Sequence, residues 1–463
     1  MTDVRRGVWR RIGPHPFTAV AALGVILGAF DFFSAGSEAA RRRVASQRPP
    51  VYGLFEPGFS KVGVISLILV AAGVVGAGLL TRRERLRPLF LLSICFAFLL
   101  AFAASVAMIN GDAKAFTDPL ERRNLPDYQV DVHYVTDLGV RGFVKDHPDL
   151  VPEFRSAHAK THPPGPVLFL WLLKGIFPGH VVPRALVLAA ISALVVVPTW
   201  FLARRLAGER AATLAAMLVA VAPAPVIFTF TSMDAVYATL LGGVAALCVY
   251  GLGEGGSKRL AIVAGLAAGA VSLMTYAVGF VLIGVGLWAL FTRPVRESIP
   301  SLAVAALGIV VALAILRVAL GFDLVASYRA GVRLLQSYQD AAARTGKPTR
   351  SYSYWIFGNV AVWLTFAGLP IAALGLREMF FKRPLYLIAL FAPLALVDLS
   401  VYFSAETERI GQFSMPFMAV AAAAALARWE QSSGERGPPV FAALIGVAAI
   451  QTVLLESLYR TYW

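Results

Sequence analysis

Long apolar blocks, separated by short stretches that carry arginine, recur from one end of the chain to the other. This pattern leaves few folds open. About 20 apolar residues in a helix cross the roughly 30 Å of hydrocarbon in a bilayer. Inside that layer no water is on hand for an unpaired N–H or C=O, so the backbone must close its own hydrogen bonds. The blocks are roughly 17–25 residues long, which is the helical length. Composition agrees: 58% of the 463 residues are hydrophobic and 15% charged, against about 45–50% and about 25% in soluble domains. The fold class expected is an all-α polytopic membrane protein. Thirteen spans are expected, near 16–34, 61–80, 88–109, 183–203, 211–229, 233–252, 259–276, 277–292, 299–320, 355–376, 384–403, 412–428 and 438–455.

The net charge of +15 does not point to nucleic acid. The basic residues cluster in short loops, as they do on the cytoplasmic side of membrane proteins. Arg5, Arg6, Arg10 and Arg11, then Arg82, Arg83, Arg85 and Arg87, then Arg204, Arg205 and Arg210 fall on one side. Lys258 and Arg259, and later Arg377, Lys382 and Arg383, continue the alternation. The N-terminus is therefore assigned inside, in a plasma (inner) membrane. Arg41, Arg42 and Arg43 fall outside and break the rule, and Tyr462 and Trp463 are assigned to the outer interface. The first apolar block reads as an anchor and not as a cleaved leader. Cys95 and Cys248 both lie within apolar blocks, which excludes a disulfide framework and a thiolate metal site.

The segment 163–178 is apolar but short, and such stretches more often lie in the interface than span. Counting it as a span would also invert the charge bias downstream. It therefore belongs to a long outer loop from about 110 to 182. A second outer loop runs from about 321 to 354, and a third is Ser404–Arg409.

The long loop holds most of the polar chemistry, including five of the six histidines. In the first of its two clusters, Asp131, His133 and Tyr134 precede apolar residues at loosely helical spacing. An amphipathic helix on the membrane surface would put Asp131 and Tyr134 on one face. A carboxylate there is a candidate general base; a solvated acid or helix cap is the competing reading. The second cluster runs from Ser156 to Pro166, with His158 and His162 four apart. Two histidines at that spacing share a helical face, but Pro163 disfavours the helical conformation at His162. Two more residues stand at the outer ends of spans. Asp234 follows Ser232 as a helix opens, where capping and dipole complementarity compete with a functional role. Arg409 follows Glu406 and Glu408, where pairing with those acids competes with clamping a phosphate.

The residues from His162-Pro163-Pro164 through Pro183-Arg184-Ala185, Phe201–Arg210, Ala222-Pro223 and Asp234 resemble the GT-C glycosyltransferases. The branch is the family 39 type, which includes protein O-mannosyltransferases and aminoarabinose transferases. The resemblance covers about 88–292 well and the later segments more loosely. It implies an N-terminal two-helix extension over 1–87, a catalytic core over 88–292, and C-terminal helices over 293–463 completing the cavity. It also implies inverting transfer of a hexosyl or pentosyl group from a polyprenyl-phosphate donor to an extracytoplasmic glycan, lipid or protein. An outer-loop acid serves as base. Asp131 is carried over because a Tyr follows the acid in the family pattern; the family's Asp-Glu pair is absent, and Asp112, Asp127 and Asp137 remain alternatives. His133, Tyr134, His162, Asp234 and Arg409 are the expected substrate contacts, with Arg409 steadying the departing phosphate. A divalent metal is associated with part of the family, and His133, His158 and His162 are the side chains that could hold one. No metal is assigned. The rival class is a transporter or flippase-like protein, which would place charges near the membrane midplane. Here most spans lack internal charges, and the polar residues gather outside.

Overall fold

A computed structural model describes residues 15–35, 51, 53–83, 86–111, 113–121, 127–344, 352–382, 385–399, 406–433 and 436–460. Asp112, Arg5, Arg6, Arg10, Arg11, Arg41, Arg42, Arg43, Arg85, Arg383, Tyr462 and Trp463 lie outside the described residues. The described chain is helical apart from one two-residue strand pair, Leu54–Phe55 with Tyr459–Arg460, running antiparallel.

Among the described residues seven helices are long and apolar enough to cross a membrane: Gly63–Thr81, Pro88–Ala107, Val181–Ala207, Met233–Leu252, Val295–Leu320, Thr407–Ser433 and Gly437–Leu458. Each falls on an expected span. An eighth crossing is possible if the pair Tyr352–Ala367 and Leu369–Phe380 is one span, but that pair is bent by 114°. The bend replaces the straight span expected at 355–376. It turns on Gly368 (φ +92°), a backbone state that a side chain would strain. A count of thirteen full-length spans is not reached. The expected span 211–229 is two pieces, Glu209–Val219 and Pro223–Ile227, parted where proline supplies no N–H to the ladder. Lys258–Val271 and Leu385–Asp398 have 14 residues each, about 21 Å of rise against the roughly 30 Å of hydrocarbon. Pro16–Asp31 and Val278–Thr292 are also short. The segment expected at 163–178 is a separate helix, Gly165–Ile176.

Small residues set the closest packing. Lys258–Val271 crosses Val295–Leu320 at Gly265 and Gly308; a Cβ on Gly265 would lie 2.0 Å from the Ala305 carbonyl oxygen, and one on Gly308 would lie 2.5 Å from that of Ile262. Glycine at both contacts lets the two backbones touch, as at small-residue interfaces in membranes. Thr407–Ser433 is the innermost span, with 89% of its window buried. The run Ala419–Ala425 fits there because alanine fills little of the space between neighbours.

The body has two distinct ends. At one, the strand pair joins the segment before Gly63–Thr81 to the end of Gly437–Leu458, and the Ser60 N–H donates to the Ile109 carbonyl. At the other, His15 packs edge-on against Trp429, Arg210 pairs with Glu430, and Arg293 donates to the carbonyls of Leu252 and Gly253. The first end carries the long loop and is called the site end below.

Candidate functional site

Within the long loop, a short turn is formed by Tyr128–Asp131. Asp127 caps it: Oδ1 accepts from the Tyr128 N–H at 2.7 Å. The same oxygen contacts His158 Nδ1 at 2.9 Å. No hydrogen bond is recorded for Asp127 Oδ2 among the described residues. Asp131, four residues on, is used differently. It is fully buried, and its two oxygens accept from the main-chain N–H groups of Arg155 and Ser156, each at 2.9 Å. Asp131 thereby fastens the turn to the segment that leads into a later helix, Ala157–Thr161. Ser156 caps that helix by accepting from the Ala159 N–H at 3.1 Å.

The helix stops at His162, which is extended (φ −118°, ψ 161°), as the following proline demands. The His162 ring lies against two tyrosines, stacked on Tyr237 at 5.5 Å between centroids and edge-on to Tyr128 at 5.7 Å. Its Nδ1 is 3.0 Å from the His158 carbonyl. A carbonyl only accepts, so Nδ1 carries the proton and Nε2 keeps its lone pair. Loss of hydration lowers His162 to about 4, with Asp234 pulling the other way. The ring is therefore neutral near pH 7. His147, 1% exposed, bonds the Ser327 hydroxyl (3.2 Å), and burial lowers it to about 4 as well, with the His162 backbone pulling the other way.

Two spans complete the cluster. Met233–Leu252 opens with Ser232 as cap, its hydroxyl accepting from the Asp234 N–H and donating to Asp234 Oδ2 at 3.0 Å. One turn on, the Tyr237 hydroxyl donates to that of Tyr128 at 3.1 Å. From Thr407–Ser433, Arg409 reaches Asp234 Oδ2 through Nη1 (2.5 Å) and Glu406 Oε2 through Nη2 (2.7 Å). The Arg409 and Asp234 side chains are only 5% and 9% exposed. Glu406 has φ 62°, rare for a residue with a side chain. Among the described residues Arg409 Nε has no partner, and neither amide atom of Gln412, 1% exposed, has one. Gln412 lies three residues after Arg409, on the same side of that turn. Tyr128 feels all of this: burial raises its pKa well above the ordinary value, and Asp234 and Asp127 push the same way while Arg409 opposes them.

Of the residues expected from sequence, His162, Asp234 and Arg409 converge here. Asp131 lies under the loop as a fastening point. His133 is exposed, with Nδ1 3.0 Å from the Val130 carbonyl, and stacks on Tyr134, which leans on Phe154. Asp137 is exposed on the helix His133–Leu150. Among the described residues no three His, Cys, Asp or Glu side chains are arranged to hold a metal ion, so no chemistry is routed through one. Sequence reasoning passed over Tyr128, Tyr237 and Gln412, whereas the pairing of Arg409 with Glu406 was one of its readings. Tyr237 had a visible signal, three residues from Asp234 in one helix; Gln412 had none.

The fold and this cluster define a polytopic helical membrane protein with a buried, charged site at one end. Residues 161–319 match the family model described as dolichyl-phosphate-mannose-protein mannosyltransferase. The chain resembles GT-C glycosyltransferases, and this match gives the resemblance a second support over about a third of the length. No curated protein sequence matches. Similar solved structures include the Archaeoglobus fulgidus oligosaccharyltransferase, at 17% identity and a TM-score of 0.44, covering 79% of this chain. The chain spans 53% of that protein's length. Another is ArnT from Cupriavidus metallidurans, at 15% identity and a TM-score of 0.44, covering 80% of this chain and 78% of that one.

Proposed function

We propose that the chain is a membrane glycosyltransferase that moves a sugar from a polyprenyl-phosphate donor to a hydroxyl on an acceptor outside the cytoplasm. The observation that carries this reading is the pairing of a carboxylate with one open oxygen, Asp127, and a buried arginine with an unpartnered nitrogen, Arg409, in one cluster. The acceptor oxygen attacks the anomeric carbon as the bond from that carbon to the phosphate oxygen breaks. The acceptor proton passes to Asp127 Oδ2, and the electron pair leaves with polyprenyl phosphate. Arg409 faces the charge that develops there; preorganised donors of this kind act most strongly away from water. Neutral His162 offers Nε2 as an acceptor to a sugar hydroxyl.

The base is assigned to Asp127 in place of Asp131. A base needs an oxygen within hydrogen-bonding reach of the proton it takes. Both Asp131 oxygens already serve main-chain donors, and none of that residue reaches solvent.

The test is turnover of polyprenyl-phosphate-linked mannose, glucose and arabinose by the full-length protein in nanodiscs, read as release of polyprenyl phosphate. One donor should be consumed. Asp127→Asn should slow it by about 10²–10⁴-fold at unchanged thermal stability. Full turnover by Asp127→Asn would return the base to another loop acid. Consumption of no donor, with solute uptake tied to an ion gradient, would favour a transporter.

A further inference from the structure

The second outer loop contains a 21-residue helix, Leu324–Arg344, which the glycosyl-transfer reading leaves without a role. It follows Val295–Leu320 after the turn at Gly321 (φ +77°) and precedes the helix Tyr352–Ala367. It is thus tethered at the level where the chain leaves and re-enters the membrane-spanning body.

Its side chains divide into three stripes at helical spacing. One stripe packs on the long loop: Ser327 bonds His147, and Gly331 lies so close to Ala157–Thr161 that a Cβ there would be 3.1 Å from the Lys160 carbonyl oxygen. The second is apolar, with Val325 and Tyr328 55% and 53% exposed and Val332 and Leu335 half-buried. Tyr328 meets Tyr276 at 5.3 Å, in the turn between Lys258–Val271 and Val278–Thr292. That contact points the apolar stripe toward the ends of membrane helices, not away from them. The third stripe carries Arg329, Arg333 and Arg344 with one acid, Asp340. Arg329 and Arg333 are exposed and make no ion pair among the described residues.

We propose that Leu324–Arg344 lies in the membrane interface, apolar stripe toward the acyl chains, and gathers anionic phospholipid headgroups with Arg329 and Arg333. Apolar burial beside a basic flank is how surface helices bind anionic bilayers. The charge selects the partner: unpaired guanidinium groups beside a bilayer-facing stripe suit lipid phosphates, and a neutral surface would leave them uncompensated. This reading needs only that the chain spans a membrane, and it stands or falls apart from glycosyl transfer.

The experiment places bimane on Val332→Cys in the full-length protein, in nanodiscs of phosphatidylcholine with about 30% phosphatidylglycerol. The native Cys95 and Cys248 are buried. One lipid at a time is brominated, so quenching reports which lipid lies beside the helix. Brominated phosphatidylglycerol should quench several-fold beyond its share of the bilayer. Arg329→Gln with Arg333→Gln should bring the quenching down to the phosphatidylglycerol share of the bilayer, each arginine contributing about fivefold in lipid preference, and Arg329→Lys with Arg333→Lys should keep the excess. Bimane on Ser337→Cys, on the polar side, should be quenched little by either lipid. Equal quenching per lipid at Val332→Cys in the unsubstituted helix, or none from either, overturns the proposal. So does an excess that survives the double glutamine variant.

Discussion

The span Thr407–Ser433 is held at each end by an arginine–carboxylate pair, and the two pairs are built differently. At the basic end Arg210 grips Glu430 with two nitrogens, at 2.7 and 2.9 Å, and the arginine side chain is 35% exposed. Water can reach it, and the fork is complete. At the site end Arg409 is 5% exposed, splits its nitrogens between Asp234 and Glu406, and leaves Nε unpartnered beside an unpartnered Gln412. A clamp meant only for stability has no reason to be buried and incomplete. Buried polar atoms are nearly always paired, and burying an ion pair is often a net cost. The basic-end pair is complete; the site-end cluster leaves polar atoms without partners among the described residues.

The largest effect that sharpens this contrast is expected from Arg409→Gln. It removes the cation from the buried Asp234 carboxylate, a loss of about 3–5 kcal/mol for a buried pair. Turnover per folded molecule should fall by about 10²–10³-fold if Arg409 also faces the leaving phosphate. Thermal unfolding in detergent and donor consumption measure the two parts. A variant that loses stability but keeps its turnover per folded molecule would make the site-end pair another fastener.

The next effect is pH dependence at the site end. Burial holds His147 at about 4, below the ordinary value near 6.5. The unfolded chain therefore binds the proton more readily. Stability is fully present above about pH 6.5 and is lost as pH falls toward 4, by up to about 3 kcal/mol for this one group. His162 acts in the same direction. Unfolding temperatures at pH 7.5 and 5 should differ, and His147→Gln should flatten the difference. An unchanged slope in that variant would remove His147 from the account.

Asp131→Asn comes third, at about 1–3 kcal/mol. One main-chain N–H, of Arg155 or Ser156, would then face an amide nitrogen instead of an oxygen. The loss should appear in stability, and turnover per folded molecule should hold. The reverse outcome, a stable protein without turnover, would restore Asp131 as base and empty the distinction between the two loop acids.

Much of this was legible in the chain before its fold. Apolar block length marks the seven long spans, and ionisable residues beside apolar runs marked Asp234 and Arg409 one by one. Their meeting was not legible, because 175 residues separate them. Nor was the choice between Asp127 and Asp131. What separates those two is the use of their oxygens by Arg155, Ser156 and His158, 24 to 31 residues away. The bend at Gly368 was hidden for a related reason. Its flanks, Ala361–Ala367 and Leu369–Leu374, are apolar on both sides, and hydropathy carries no record of direction. The helix Leu324–Arg344 was hidden by its own arginines and glutamines, which lower hydropathy without breaking a helix.

The smallest effect belongs to the fastener itself. Arg210→Gln removes a fork that is partly in water, where such pairs contribute about 0–1 kcal/mol. The side chain of Glu430 is only 11% exposed, so the result should lie toward the upper end. Its carboxylate also lies beside Gly437, where a Cβ would come within 3.2 Å of Oε1. The basic end is thus crowded as well as paired, and packing can hold it when the fork is gone. Turnover should be unchanged, and so should the pH slope set by His147 at the opposite end. A large loss of turnover from Arg210→Gln would mean that the two ends of Thr407–Ser433 are coupled, and that the basic end is no mere fastener.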